Sequence, residues 1–196
     1  MAAGDWVWDE WKRLTRFALS GRIALGRETR LWETVEIQNA DSALIEVTTG
    51  ASTYRVSVEH HKEAIADEGL ECTLLLIYAW AITESSAADK LALPKVSDQG
   101  GVENWGEALL QTNGYDWNSV ASSKANKSNL VEVSIVRNLL AHGDSVFTTS
   151  SENRFDGTGG SRTWSAGDPV SLSLAMVKEY RARLKSLLRF SGIRRP

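Results

Sequence analysis

The stretch VRNLLAHG at residues 136–143 places three polar side chains at the end of an apolar, helix-like segment. Arg137, Asn138 and His142 supply a guanidinium, an amide and an imidazole, a set that suits a phosphodiester. Histidine titrates near neutral pH and moves protons, a guanidinium holds charge on phosphate oxygens, and an amide orients either group. On a helix, Asn138 and His142 share a face, and Arg137 lies one residue round from Asn138. The pattern predicts a small catalytic site.

A helix end is the structural alternative for the same residues. His142 would then lie at a helix C-terminus, where a cation is favoured, and Arg137 would form an ordinary salt bridge. An Arg-x4-His pair alone is weak evidence, but Asn directly after the arginine and Gly directly after the histidine make a chance match much less frequent. No carboxylate pair or His-x-His spacing accompanies the motif, so we expect neither a metal nor another cofactor.

Four further residues are candidates for supporting roles. Glu84 interrupts the most apolar helical segment, and a buried carboxylate there would need an ion-pair partner, for which the motif arginine is a candidate; simple exposure is the rival interpretation. Asp144 weakens anion binding unless it orients the motif histidine. Arg154 and Arg162 flank the segment DGTGGS and are candidates to clamp an RNA backbone, although solvated side chains are the preferred interpretation.

Composition restricts the class of protein. The 196 residues are 42% hydrophobic and 24% charged, which suits a single globular domain over residues 1–196. Cys72 is the one cysteine, so a disulfide framework is excluded. The N-terminus carries charges where a signal peptide needs an apolar core, and no apolar run reaches about 18 residues. We therefore expect a cytoplasmic protein without a membrane partner.

The net charge of −3 hides a strong segregation of charge along the chain. Residues 11–30 contain six basic residues and one acidic residue, and residues 176–196 contain seven basic residues and one acidic residue. Between them, residues 31–110 contain fourteen acidic and four basic residues. Solvated helix faces are the preferred interpretation of such runs. The alternative is a basic surface near a ligand that contains phosphate.

The periodicity of apolar residues predicts a mainly α fold, a helical bundle with a small antiparallel β-meander insertion. An N-terminal helix is expected over 5–32, with interruptions near Gly21 and Gly26. Alternating residues predict a β-insert over 34–59, and its three strands are expected around 35–37, 45–47 and 54–58. The core bundle that carries the motif is expected over 60–192, and the segments SVFTTS and SRTWSA after the motif are a candidate hairpin.

The stretch RNLLAHG resembles the Arg-(polar)-x3-His signature of HEPN domains, which are compact bundles of four or five helices. In that family the motif lies near the end of a late helix, ahead of a further C-terminal helix, and residues 60–192 have the same order. The β-insert is not part of the common pattern. The resemblance implies a HEPN-like fold and a metal-independent endoribonuclease, in which a ribose 2′-hydroxyl attacks the adjacent phosphate and leaves a cyclic phosphate. It implies that His142 transfers protons, that Arg137 stabilises the anionic transition state, and that Asn138 orients them.

The resemblance also implies partners. HEPN domains typically dimerise so that two motifs face each other, and they act in toxin–antitoxin systems, phage defence and RNA processing. RNA, a second copy of the chain and an antitoxin or defence-system protein are therefore the expected partners. One toxin branch carries a modified tyrosine two residues after the histidine; Asp144 stands here instead, so neutralisation by that route is not expected. Some HEPN domains are non-catalytic RNA-binding or dimerising modules, which is the alternative function.

Overall fold

The computed structural model describes residues 5–35 and 43–193. These residues form a mainly α fold with one small antiparallel sheet, which confirms the predicted fold class. The helices of the described part are α1 Asp5–Glu33, α2 Val58–Ala66, α3 Glu68–Leu91, α4 Val102–Gln111, α5 Lys127–His142, α6 Thr149–Asp156 and α7 Leu174–Phe190, with a 3-10 turn at Val96–Gln99. None of the described helices is both long and apolar enough to cross a membrane.

Helix α3 is the central element of the bundle. Its middle segment is apolar on nearly every side, and it packs against α1, α4, α5 and α7. Leu76 and Ala79 of α3 are completely buried, as are Leu130 and Val133 of α5. Helix α3 therefore fixes the position of α5, the helix that carries the motif.

Helix α1 runs without interruption through Gly21 and Gly26, so the predicted breaks are wrong. A glycine inside a helix costs about 1 kcal/mol relative to alanine, which tertiary contacts can outweigh. Trp8 and Trp11 are buried in the first half of α1. In the second half, Glu28 accepts a hydrogen bond from Trp32 and contacts His61 of α2 at 3.2 Å.

The β-insert is a hairpin in the described residues. Strands β1, Leu44–Thr49, and β2, Ser52–Ser57, pair antiparallel, and Gly50 in the turn has a φ of +60°. The strand predicted around 54–58 is one residue too long at its end. Ser57 caps α2 by accepting a hydrogen bond from the backbone N–H of His60, and Val58 begins that helix. The third predicted strand, around 35–37, lies almost entirely outside the described residues.

The segment after the motif contains a helix instead of the candidate hairpin. Thr148 caps α6 by accepting a hydrogen bond from the backbone N–H of Ser151 at 3.1 Å. The first arm of the expected hairpin pairs through its backbone with residues just after the second arm, since Val146 and Pro169 form an isolated antiparallel β-bridge and the N–H of Phe147 donates to the carbonyl oxygen of Asp168 at 2.9 Å. The two arms themselves meet through the stacked rings of Phe147 and Trp164, whose centroids are 4.1 Å apart. A local cap therefore starts a helix after the first arm, and only a short bridge remains of the expected pairing.

Candidate functional site

Helix α5 ends with backbone groups alone. Gly143 has a left-handed φ of +79°, and its N–H group donates to the carbonyl oxygens of the preceding turn. The N–H of Asp144 donates to the carbonyl oxygen of Leu139 at 2.8 Å. The carbonyl groups of Leu139 and Leu140 in the last turn are thus satisfied without the side chain of His142.

Arg137, five residues before His142 and on a different side of α5, is held by three neighbours. Its guanidinium donates a hydrogen bond to Asn138 Oδ1 at 2.8 Å and lies 3.8 Å from the carboxylate of Glu84. The guanidinium carbon is 5.9 Å from the ring centroid of Trp80, within the range of a cation–π contact. The predicted pairing of Glu84 with Arg137 is confirmed, although both side chains are half-buried and their separation exceeds hydrogen-bond length.

Arg137 and Asn138 open onto a cleft of about 540 Å³ between α3, α5 and the start of α4. Its size is that of a small-ligand site. Further lining residues are Trp80 and Glu84 from α3, Ser97, Gly100, Gly101, Val102, Glu103, Asn104 and Trp105 around the start of α4, Ser134 of α5 and Arg154 of α6. The cleft therefore brings together two guanidinium groups, two carboxylates and two tryptophans.

One wall of the cleft is a bidentate ion pair. Arg154 donates to the two carboxylate oxygens of Glu103 at 2.6 and 2.9 Å, and also to Ser134 Oγ at 3.1 Å. Burial disfavours the charged carboxylate, but the hydrogen bonds from Arg154, the residue's own backbone N–H and the arginine's charge outweigh burial and hold the pKa of Glu103 below its ordinary value. This pair ties α4, α5 and α6 together.

His142 does not line this cleft. It is exposed at the end of α5 and makes no hydrogen bond or ion pair with any other described residue. Five residues of α-helix separate it from Arg137, which corresponds to about 140° around the helix axis and a rise of about 7.5 Å. The structure therefore brings Arg137, Asn138 and Glu84 together and presents the imidazole on a different side of the helix.

The remaining predicted residues, Asp144, Arg154 and Arg162, are not among the neighbours that hold Arg137. Asp144 is exposed, and its role remains a prediction. Arg162 pairs with Glu152 at 2.8 Å and with Asp156 at 3.0 Å. The guanidinium groups of Arg162 and Arg154 are thus already occupied by carboxylates, and contact with RNA stays a prediction that would require these pairs to open.

Two features of the cleft were not predicted from the sequence. Trp80 precedes Glu84 by four residues, so the helical repeat places both on one face of α3, and this spacing was a usable signal. Glu103 and Arg154 are 51 residues apart in the chain, and no local pattern indicates that they meet.

Comparison with known proteins gives no match to this chain among protein-family models, curated proteins or solved structures. In the described residues, no group of three or more His, Cys, Asp or Glu side chains is placed to hold a metal ion.

Proposed function

We propose that this chain is a metal-independent endoribonuclease that uses Arg137, Asn138 and His142. The observation that carries the proposal is the end of α5, where the N–H groups of Gly143 and Asp144 satisfy the carbonyl groups of Leu139 and Leu140. The helix therefore needs no histidine cap. The imidazole is exposed and makes no hydrogen bond to the described residues, so its ring nitrogens are available to a substrate.

The chemistry follows from the three side chains. His142 removes the proton from a ribose 2′-hydroxyl, and the oxygen attacks the adjacent phosphorus. The 5′-oxygen of the next nucleotide leaves and takes up a proton, so that a 2′,3′-cyclic phosphate remains. Arg137 is oriented by its hydrogen bond to Asn138. Its other terminal nitrogen, 3.8 Å from Glu84, has donors open to a phosphate oxygen that gains charge in the transition state.

We further infer that two copies of the chain complete the site. On one chain, His142 and Arg137 point to different sides of α5, so a shared phosphate requires a second protomer. In such a dimer, each cleft takes its Arg137 and Asn138 from one protomer and its histidine from the other.

The first experiment compares wild type with Arg137→Ala and His142→Ala in EDTA, with a mixed-sequence RNA and with tRNA. His60→Ala is the matched control, because His60 is an exposed histidine on α2. Wild type and control should cleave RNA and leave cyclic-phosphate ends, while each motif variant loses about 100-fold or more in rate and stays folded at the assay temperature. If wild type cleaves neither RNA and His142→Ala alone melts lower, the residue is a helix cap and the chain is a non-catalytic interaction module.

A mixing experiment tests the shared site. In a heterodimer of Arg137→Ala with His142→Ala, one composite site contains both substitutions and the other contains neither. Since random mixing gives about half heterodimers, each with one intact site, an equimolar mixture should recover about a quarter of wild-type activity. No recovery, with both variants still dimeric, would show that Arg137 and His142 act within one chain.

A further inference from the structure

Helix α7 presents a row of cations along one face. Lys178, Arg181, Lys185 and Arg189 follow one another at intervals of three or four residues, so the helical repeat places all four within about 80° of arc. The row extends about 16 Å along the helix, with about 5–6 Å between successive positions. The opposite face is different, because there Arg183 pairs with Glu132 and Glu179.

The row lies against the basic N-terminal helix. Arg181 donates a hydrogen bond to Thr15 Oγ1 at 2.6 Å, and its guanidinium carbon is 5.3 Å from the ring centroid of Trp11. Lys185 Nζ lies 4.8 Å from the same ring, and the guanidinium of Arg189 lies 5.7 Å from the ring of Trp8. The two basic segments, which are far apart in sequence, therefore meet along one surface.

Helix α1 adds two cations and one acidic group to this surface. Lys12 and Arg16 follow Trp8 at intervals of four residues and so lie on the same side of α1. Asp9 pairs with Lys12 at 2.8 Å, and the hydrogen bond from Lys12 holds the pKa of this carboxyl below its ordinary value. We call the six cations, Lys12, Arg16, Lys178, Arg181, Lys185 and Arg189, the α1/α7 basic face.

Three cations of this face are not paired with a carboxylate in the part of the chain that the structure describes. Lys178, Arg181 and Arg189 form no ion pair with any described residue, whereas Arg154, Arg162 and Arg183 all do. Arg181 is half-buried, its Nε atom has no acceptor, and burial lowers its pKa. A partly desolvated cation without a carboxylate is costly, and an anion that approaches from solvent relieves that cost.

We propose that the α1/α7 basic face binds the phosphate backbone of the RNA substrate. The inference rests on the proposed ribonuclease function. It assigns RNA binding to a surface separate from the motif residues. A row of cations about 16 Å long spans several phosphates of a single strand. Trp8 and Trp11 are buried beneath the cations and do not form a stacking platform for bases. Binding at this face is therefore electrostatic and independent of sequence.

The test measures binding to a single-stranded RNA with 2′-O-methyl groups, which cannot be cleaved because the attacking hydroxyl is blocked. Fluorescence anisotropy at several salt concentrations compares wild type with Lys178→Gln/Lys185→Gln/Arg189→Gln. The matched control, Arg55→Gln/Lys62→Gln/Lys95→Gln, removes three exposed cations from other elements. Arg181 is left in place since its packing against α1 makes it a stability risk. Melting temperatures verify that both triple variants fold.

Each phosphate contact contributes about 0.7 to the slope of log affinity against log salt concentration. At 0.1 M salt, this raises the affinity about fivefold per contact relative to 1 M salt. Loss of three contacts should therefore weaken binding roughly 100-fold and reduce the slope by about 2, while the control changes little. Equal losses in both triple variants, or wild-type affinity in the α7 variant, would overturn the inference. So would binding of wild type to phosphatidylserine vesicles but not to RNA, which would assign the face to a membrane.

Cleavage of unmodified RNA separates this inference from the proposed function. A wild type that cleaves RNA, together with an α7 triple variant that binds the 2′-O-methyl RNA as wild type does, overturns the inference and leaves the ribonuclease function standing. A wild type that binds 2′-O-methyl RNA through this face without cleaving unmodified RNA supports the inference as a binding surface and removes the catalytic function.

Discussion

Replacement of Glu103 by glutamine tests whether the Glu103–Arg154 pair holds the cleft together. The substitution keeps the shape of the side chain and one acceptor oxygen, but removes the charge and one of two hydrogen-bond acceptors for Arg154. The guanidinium would retain only Ser134 and one amide oxygen. Removal of one partner from a fully buried pair costs about 3–5 kcal/mol. Since these side chains are 23% and 28% exposed, we expect a loss of about 2 kcal/mol.

For a chain of this length, about 2 kcal/mol corresponds to a fall of about 4–8 °C in melting temperature. Thermal and urea unfolding at neutral pH measure the loss. Glu107→Gln is the matched control, because Glu107 lies on the same helix without an ion pair to any described residue and should change stability by less than about 0.5 kcal/mol. If Glu103→Gln is as mild as the control, the ion pair does not stabilise the cleft.

The same variant gives a pH dependence with a defined sign. The folded-state pKa of Glu103 lies below its ordinary value of 4.5. The carboxylate therefore contributes stability that is present above that ordinary value and is lost as the pH falls through the lower, folded-state pKa. The difference in melting temperature between wild type and Glu103→Gln should be full near neutral pH and should narrow as the pH falls below 4.5. A difference that stays constant over this range would refute the electrostatic explanation.

Two glycine substitutions test the helix end and the packing beneath the cleft. Gly143→Ala should cost about 1 kcal/mol in a melting experiment because its φ is +79°, whereas His142→Ala should cost less than about 0.5 kcal/mol; the reverse order would assign the cap to the histidine. Gly106→Ala should cost about 1–3 kcal/mol, because the added Cβ would lie 2.9 Å from the ring of Trp117. Gly26→Ala is its control and should stabilise by up to about 1 kcal/mol, since the helix leaves open space there; equal effects would refute the steric explanation.

The sequence sufficed where the signal was local and periodic. The apolar pattern of α3 and α5 predicted two buried helices, and α5 ends at Gly143, where the sequence places the end of the helical segment. Of the two interpretations that the sequence left open for Glu84, the ion pair with Arg137 is the one observed, as expected if a carboxylate in an apolar helix needs a cation nearby. In each case the physical cause acts within one helix or on one polar group.

Tertiary contacts decided the features that the sequence did not predict. Gly21 and Gly26 favour interruption, but contacts along α1 outweigh their intrinsic cost. The partner of Arg154 lies on a helix 51 residues away, and its identity depends on how α4 and α6 pack. The angle between Arg137 and His142 could be calculated from the helical repeat, but the position of the cleft on only one side of α5 could not.

Under the proposed ribonuclease function, the distribution of charge predicts that RNA affinity and cleavage depend on different surfaces. In the cleft, Glu84 and Glu103 offset Arg137 and Arg154, so the cleft has little net charge and attracts a polyanion weakly. The α1/α7 basic face contains Lys178, Arg181 and Arg189, which form no ion pair with any described residue, and is the stronger source of attraction. Arg137→Ala should therefore lower the cleavage rate of bound RNA with little change in Kd. Substitution of the α7 cations should raise Kd while the single-turnover rate at saturating protein stays unchanged. If both variants change Kd, or both change the single-turnover rate, the cleft and the basic face form one RNA-binding site. The conclusion that the cleft attracts RNA only weakly would then be wrong.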